Sequence, residues 1–158
     1  MLIESADAME ALGERLGRAF AHTGGCIALR GGLGAGKTRF VRGLARGAAV
    51  DDPEIVSSPT YVLLNIYPAT PPQKTLYHLD AYRIASEEDF EAVGLPDLLS
   101  PENIVAIEWP ERIESLLPPD RLEMTIERSD DENHREVTLT PTGPATAAAT
   151  AGLGDKPA

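Results

Sequence analysis

The 158-residue chain carries 25 Asp+Glu against 14 Lys+Arg, a net charge of −11, with 42% hydrophobic residues, 13 Pro, 14 Gly and a single Cys. Its length suits one domain, its apolar fraction supports a packed core, and no apolar run approaches the roughly 18 residues of a membrane span. One cysteine excludes a disulfide framework and fits a reducing compartment, and the acidic stretch Met1–Asp7 lacks the regions of a secretory signal, so a cytoplasmic location without membrane attachment is expected.

Along the chain, helix and strand signals alternate. Ser5 is placed to cap a helix whose Met9, Leu12, Leu16, Ala19 and Phe20 fall on one stripe, ending at Gly24-Gly25. Cys26-Ile27-Ala28-Leu29 reads as a short apolar strand running straight into a glycine loop, and Thr38 to about Ala49 as a second helix. Two β-rich runs, about 60–67 and 75–82, flank a turn with three prolines, which predicts a hairpin. Ser86-Glu87-Glu88-Asp89 resembles a capping box for a short acidic helix stopping near Gly94. Ile104-Val105-Ala106-Ile107 is a continuous apolar run of the kind found at the centre of a sheet covered on both faces. Pro110 opens a short helical segment, and two alternating strands, Leu122–Glu127 and Glu136–Thr140, are joined by an Asp/Glu/Asn turn. The fold class is α/β: a mixed sheet with central parallel strands and antiparallel hairpins, flanked by helices. Residues 141–158 hold one large apolar residue among Ala, Pro, Gly and Thr, so the folded domain is expected over 1–140 and a flexible tail beyond it.

The charge is regional. Residues 30–50 contain Arg30, Lys37, Arg39, Arg42 and Arg46 and no acid, whereas residues 84–136 contain 16 acids against four arginines. Such an acidic chain is not built to grip a nucleic-acid backbone by itself.

Within the basic segment, Gly31-Gly32-Leu33-Gly34-Ala35-Gly36-Lys37-Thr38 matches the phosphate-loop pattern G-x-x-x-x-G-K-[ST] at every fixed position. Glycines let the backbone wrap a phosphate and aim successive N–H groups inward, and the following helix adds its N-terminal amides and positive dipole end. Gly31, Leu33, Gly34, Ala35 and Gly36 are therefore the candidate cradle for a nucleotide. Lys37 would reach the β- and γ-phosphates, and the Thr38 hydroxyl would ligate Mg²⁺.

Other candidates lie at strand ends. Glu108 closes the apolar run 104–107, where a nucleotide site places its second metal carboxylate. Asp80, in Tyr77-His78-Leu79-Asp80-Ala81-Tyr82-Arg83, shares a strand face with His78 and Tyr82. It either orients an attacking water or the metal's water shell, or pairs with Arg83 or His78; the spacing alone does not choose. Thr60 occupies the loop Ser57-Ser58-Pro59-Thr60-Tyr61, where a phosphate-sensing hydroxyl would sit and where a plain polar turn would look the same. Trp109 either flanks the nucleotide or fills the sheet end. Cys26 reads as strand packing and His134 as a solvated residue.

Four motifs in one order, Leu33-Gly34-Ala35-Gly36-Lys37-Thr38, Ser58-Pro59-Thr60-Tyr61, His78-Leu79-Asp80-Ala81-Tyr82-Arg83 and Ile107-Glu108-Trp109-Pro110, closely resemble the TsaE (YjeE) family over essentially residues 5–140. That resemblance implies a compact P-loop ATPase of bacterial tRNA threonylcarbamoyladenosine (t6A) synthesis, using ATP and Mg²⁺ and hydrolysing ATP slowly alone. It implies partnership with TsaD and TsaB, which carry out the transfer to tRNA, so that tRNA is met only through the complex. At matching positions Lys37 and Thr38 are phosphate and Mg²⁺ residues and Glu108 a Mg²⁺ residue. Thr60 is implied as a switch residue, Asp80 as a catalytic or metal-organising acid, and Trp109 as a neighbour of the nucleotide. Two departures stand out: Gly32 replaces a usual Asp, and Ala81 a usually bulkier apolar residue.

Three other readings compete. A GTPase would carry Asn-Lys-x-Asp for base readout, and the chain has no such tetrapeptide. A small-molecule kinase would need a basic lid, where the chain offers the acidic segment 84–136. A nucleotide-sensing protein without hydrolysis would share every motif.

Overall fold

The computed structural model describes residues 1–153 and shows one seven-stranded sheet between two unequal layers. In chain order the strands are β1 (Leu2–Ile3), β2 (Gly25–Arg30), β3 (Leu64–Tyr67), β4 (Leu76–Asp80), β5 (Ile104–Glu108), β6 (Arg121–Arg128) and β7 (Arg135–Pro141). The helices are α1 (Ala6–Thr23), α2 (Lys37–Gly47), α3 (Glu87–Ala92), α4 (Leu95–Leu98) and α5 (Pro144–Thr150). The strand order is β1-β7-β6-β2-β5-β4-β3. β6, β2, β5 and β4 run parallel, while β3, β7 and β1 pair antiparallel at the two sides. The mixed α/β sheet expected from the sequence is thus the fold, and the parallel strands deliver their C-terminal ends to one edge, where open α/β sheets bind ligands.

β5 is buried along its whole length, because its two faces meet two different cores. Ile104 and Ala106 join Ile27, Leu29 and Leu76 under α1 and α2. Val105 and Ile107 join Cys26, Ala28 and Leu79 under Phe90, Leu95, Ile113 and Leu117 from the opposite layer. Ser5 caps α1 through a hydrogen bond from the Ala8 amide (3.1 Å), and Gly24, at φ 64°, ends it. α1 and α2 lie in unusually close contact: a Cβ on Gly13 would stand 2.2 Å from the Phe40 carbonyl, and one on Gly43 would stand 2.0 Å from that of Glu10. Only glycine permits this approach, which holds α2 and its N-terminal Lys37-Thr38 at a set height above the sheet.

Two expectations change. The extended run expected from residue 60 begins only at Leu64, because the Pro59 carbonyl accepts the amides of both Val62 (3.1 Å) and Leu63 (2.8 Å) and curls 59–63 into a turn. Residues 141–153, expected as part of a flexible tail, instead finish β7 and form α5, with Ala149 and Leu153 packed against the core. The stabilising group is remote in sequence: the Asp120 carboxylate accepts from the Ala145 amide (2.8 Å), the Thr146 amide (3.1 Å) and the Thr146 hydroxyl (2.7 Å), capping a helix whose own N-cap, Gly143, has no side chain. The rest of that expectation, residues 154–158, lies outside the described residues. Among the described residues no helix is long and apolar enough to cross a membrane.

Candidate functional site: a glycine-loop cleft at the strand ends

β2 ends at Arg30 and the chain turns through 31–36 into α2, with Gly31, Gly34 and Gly36 at φ 155°, 74° and 115°, values that side chains other than glycine's rarely adopt. Gly31 is also pressed against β6, where a Cβ would meet the Ile126 carbonyl at 2.7 Å. A cleft of about 530 Å³ opens beneath this loop. It gathers Leu33, Gly34, Ala35, Gly36, Lys37 and Thr38 from the loop and α2. From the next turn come Ser58 and Thr60, and from the ends of β4 and β5 come Asp80, Glu108 and Trp109. Every site residue expected from the sequence lines it except Gly31, which is set back and contributes its carbonyl to Lys37.

Lys37 is 7% exposed; its ammonium donates to the carbonyls of Gly31 (2.6 Å) and Gly32 (3.1 Å) and lies 3.9 Å from Glu108 Oε2. The parallel register places Asp80 of β4 directly opposite Glu108 of β5, and they are 2% and 4% exposed. Two buried carboxylates side by side repel, and one lysine balances only part of that charge. Asp80 Oδ1 accepts the Tyr82 amide (3.0 Å), so the carboxylate caps the 3₁₀ turn Ala81–Arg83. This turn takes Tyr82 off the strand, so the three-residue face expected for His78, Asp80 and Tyr82 reduces to its first two members. Neither alternative pairing for Asp80 occurs among the described residues: Arg83 lies over the Tyr61 ring at 5.8 Å, and His78 Nε2 meets Glu108 Oε1 at 2.8 Å.

Thr60 reaches the cleft from the turn after Pro59, its hydroxyl 2.7 Å from that of Ser58. The same turn is tied to the carboxylate strand, because the Asp80 amide donates to the Leu63 carbonyl (2.8 Å) while Leu63 holds φ 70°. Trp109 sits in the left-handed region (φ 57°, ψ 47°), a strained conformation for an indole side chain. Its ring lies 5.3 Å from Lys37 Nζ and 5.4 Å from the Tyr82 ring, so it walls the lysine end of the cleft.

A Mg²⁺ ion fits this chemistry. The Thr38 hydroxyl and the Asp80 and Glu108 carboxylates are hard oxygen donors facing one cleft, and the opposed carboxylates leave a cation wanting. No group of three or more His, Cys, Asp or Glu that could hold a metal occurs among the described residues.

Sequence reasoning missed a second cavity, about 580 Å³, on the other side of the same loop. Gly34, Ala35 and Gly36 line both cavities, and Ser5, Met9 and Arg135 help close the second. Arg135 Nε donates to the Ala35 carbonyl (3.0 Å), and Arg128 reaches the Leu33 carbonyl (3.4 Å), so the β6–β7 hairpin braces the loop from about a hundred residues away. No local signal at Arg128 or Arg135 announces this. Cys26 is 1% exposed in the β2 core, and burial pushes its thiol up to about 12, which leaves it a packing residue.

The family model described as "Threonylcarbamoyl adenosine biosynthesis protein TsaE" matches residues 3–137. The tRNA threonylcarbamoyladenosine biosynthesis protein TsaE of Bacillus subtilis is 38% identical over 129 residues, covering 82% of this chain and 77% of that protein. The protein of the same name from Streptomyces coelicolor is 36% identical over 130 residues, covering 82% and 85%. Among solved structures, that of Bacillus subtilis YdiB superposes with a TM-score of 0.77 at 30% identity, covering 97% of this chain and 91% of the other.

Proposed function

Because the chain belongs to the TsaE family of threonylcarbamoyl adenosine biosynthesis proteins, we propose that it is a Mg²⁺-dependent ATPase that supports t6A modification of tRNA together with TsaD and TsaB in the cytoplasm. The observation that carries the ATPase reading is the opposed pair Asp80–Glu108, buried beside a glycine loop whose Lys37 ammonium lies 3.9 Å from Glu108. A structural sheet end has no use for two desolvated carboxylates in register.

The residues divide the work by position. Loop amides and the N-terminus of α2 bind the β- and γ-phosphates. Lys37 would exchange the carbonyls of Gly31 and Gly32 for phosphate oxygens. Thr38 and Glu108 would hold Mg²⁺, which neutralises charge on the phosphates when bound. Asp80 Oδ1 is committed to the Tyr82 amide, and the second oxygen has no hydrogen bond among the described residues and is available to orient a water in line with the γ-phosphorus. As the water oxygen bonds to that phosphorus and the bridging oxygen departs with ADP, the water's proton passes to Asp80 or to solvent. Thr60 closes on the γ-phosphate from its turn. The triphosphate end would belong with Lys37, Asp80 and Glu108, at the end of the cleft that Trp109 walls.

The test is Mg²⁺-dependent phosphate release from ATP, with and without TsaB and TsaD, alongside a reconstituted tRNA modification reaction that omits this chain. Release stimulated by the partners, and modification that stalls on omission, are expected. Absence of both effects overturns the proposal, and transfer of the phosphoryl group to a small acceptor instead of water would mark a kinase. Lys37→Ala should cost about 2–3 kcal/mol of ATP affinity, a roughly 30- to 150-fold loss, as expected for removing hydrogen bonds to a charged group. A variant that binds ATP as wild type does would sink the loop assignment.

A further inference from the structure

We propose that His78 is the positioning residue for Glu108, holding that carboxylate in the orientation in which it meets the metal of a bound Mg²⁺·nucleotide; this rests on the reading of the cleft given above. His78 precedes Asp80 by two residues on β4, so both side chains leave the same face of the sheet. In the β4–β5 register His78 lies opposite Ala106, and Glu108 is the next residue along β5 on that face. A methyl group at Ala106 leaves the imidazole room to reach diagonally to the carboxylate, and Nε2 stands 2.8 Å from Oε1. Ring and carboxylate are 0% and 4% exposed, so water does not compete for this bond. A carboxylate only accepts, so the proton is on Nε2, which donates.

The two oxygens of Glu108 thereby have different neighbours: Oε1 takes the His78 proton, and Oε2 faces Lys37 Nζ at 3.9 Å. The lysine contact must change when the ammonium moves from the Gly31 and Gly32 carbonyls onto a phosphate. The histidine belongs to β4 and is fully buried, which makes it the anchor for a side chain with three rotatable bonds. The other ring nitrogen supports this. Nδ1 is buried and has no hydrogen-bond partner among the described residues. An unpaired polar atom in a core is a cost that Leu or Met at this position would avoid, so the ring's only hydrogen bond, the one to Glu108, is what the position gains. Groups that hydrogen-bond a ligating carboxylate tune metal affinity by about 10- to 100-fold.

The alternative is that His78 only satisfies a buried glutamate for folding. Mn²⁺ binding read by electron paramagnetic resonance, with the protein saturated by a non-hydrolysable ATP analogue, separates the two, with analogue affinity in EDTA as the metal-free reference. His78→Leu should keep metal-free analogue affinity within about twofold yet bind Mn²⁺ about 10-fold or more weakly. His78→Gln places an N–H where imidazole Nε2 stands and should recover most of the loss. His78→Asn, whose amide ends near the Nδ1 position, should not. Mn²⁺ affinity in His78→Leu within twofold of wild type, or His78→Gln no better than His78→Asn, overturns the proposal. Where His78→Leu loses cooperative thermal unfolding, the Gln/Asn contrast decides alone. Wild-type protein that binds no Mn²⁺ in the presence of the analogue overturns instead the reading of the cleft.

Discussion

Asp80 and Glu108 illustrate how one residue's role depends on its partner across the sheet. Each closes an apolar strand, and each is visible in the sequence as an acid after a hydrophobic run. The parallel register puts them opposite each other, and the Tyr82 amide occupies one oxygen of Asp80. Asp80→Asn keeps an acceptor for that amide while removing the charge that would orient or deprotonate water. Its ATP affinity should stay within about threefold of wild type while partner-stimulated phosphate release falls about 100-fold or more, the scale of lost general-base assistance. Turnover like that of wild type would make Asp80 a structural cap. Lys37, Thr38, Thr60, Asp80, Glu108 and Trp109, which the sequence nominated, all line one cleft, and each sits at a loop or strand end with its own local signature. It did not reveal the His78–Glu108 bond, because two residues thirty positions apart meet only once β4 and β5 have taken their register.

At the level of elements, the α1–α2 contact and the docking of α5 set the frame around the cleft. Boundaries of α1, β2 and α2 were legible from Ser5, Gly24-Gly25 and the glycine loop, all signals within a few residues of the feature they create. α5 was not, because an Ala/Thr stretch has little intrinsic reason to stay folded and its capping carboxylate belongs to the segment before β6. The Thr146 hydroxyl, together with the Ala145 and Thr146 amides, holds the Asp120 carboxyl below its ordinary value of 3.8, against the opposing effect of burial. A carboxyl lowered on folding adds stability that is fully present above its ordinary pKa and fades as pH falls through the lowered value. Asp120→Ala should therefore destabilise the protein by about 1 kcal/mol at neutral pH, as for loss of a helix cap. In denaturant titrations at successive pH values, the gap between variant and wild type should shrink below about pH 3.8. A gap that persists unchanged into acid would show that Asp120 acts through packing rather than through its charge.

Across the whole molecule, the charge asymmetry has a different meaning from the one composition suggests. Five cations in 30–50 invite the idea of a triphosphate-binding cluster, yet only Lys37 is buried in the cleft and Arg39 stands at its edge. Spacings of three and four residues put Arg39, Arg42 and Arg46 on one side of α2, where α1 presents Glu10 at 2.8, 3.7 and 2.7 Å. Arg30 is taken by Glu111, Glu114 and Glu123. Under the proposed function, affinity for ATP·Mg²⁺ would come from loop amides, one lysine and the metal, and binding should stabilise the fold as a unit. At a ligand concentration of 100 times Kd the gain is about 2.7 kcal/mol, a rise in Tm of roughly 5–10 °C for a domain of this size. Scanning calorimetry with ATP·Mg²⁺ should show that shift in wild type and lose most of it in Lys37→Ala. Equal shifts in both would place nucleotide binding elsewhere.

The sequence by itself determined the α/β class, the glycine-rich loop motif, the strand-end carboxylates and the family resemblance, because each is written in signals spanning a few adjacent residues: caps, periodicity, glycines with special φ, and short motifs in order. Only the tertiary structure decided that Asp80 opposes Glu108, that His78 holds one oxygen of that glutamate, that the arginines of α2 face α1, and that Asp120 caps α5. Those are consequences of register and of which helix face meets which, and both arise from burying two separate cores against one sheet rather than from any residue's neighbours in the chain.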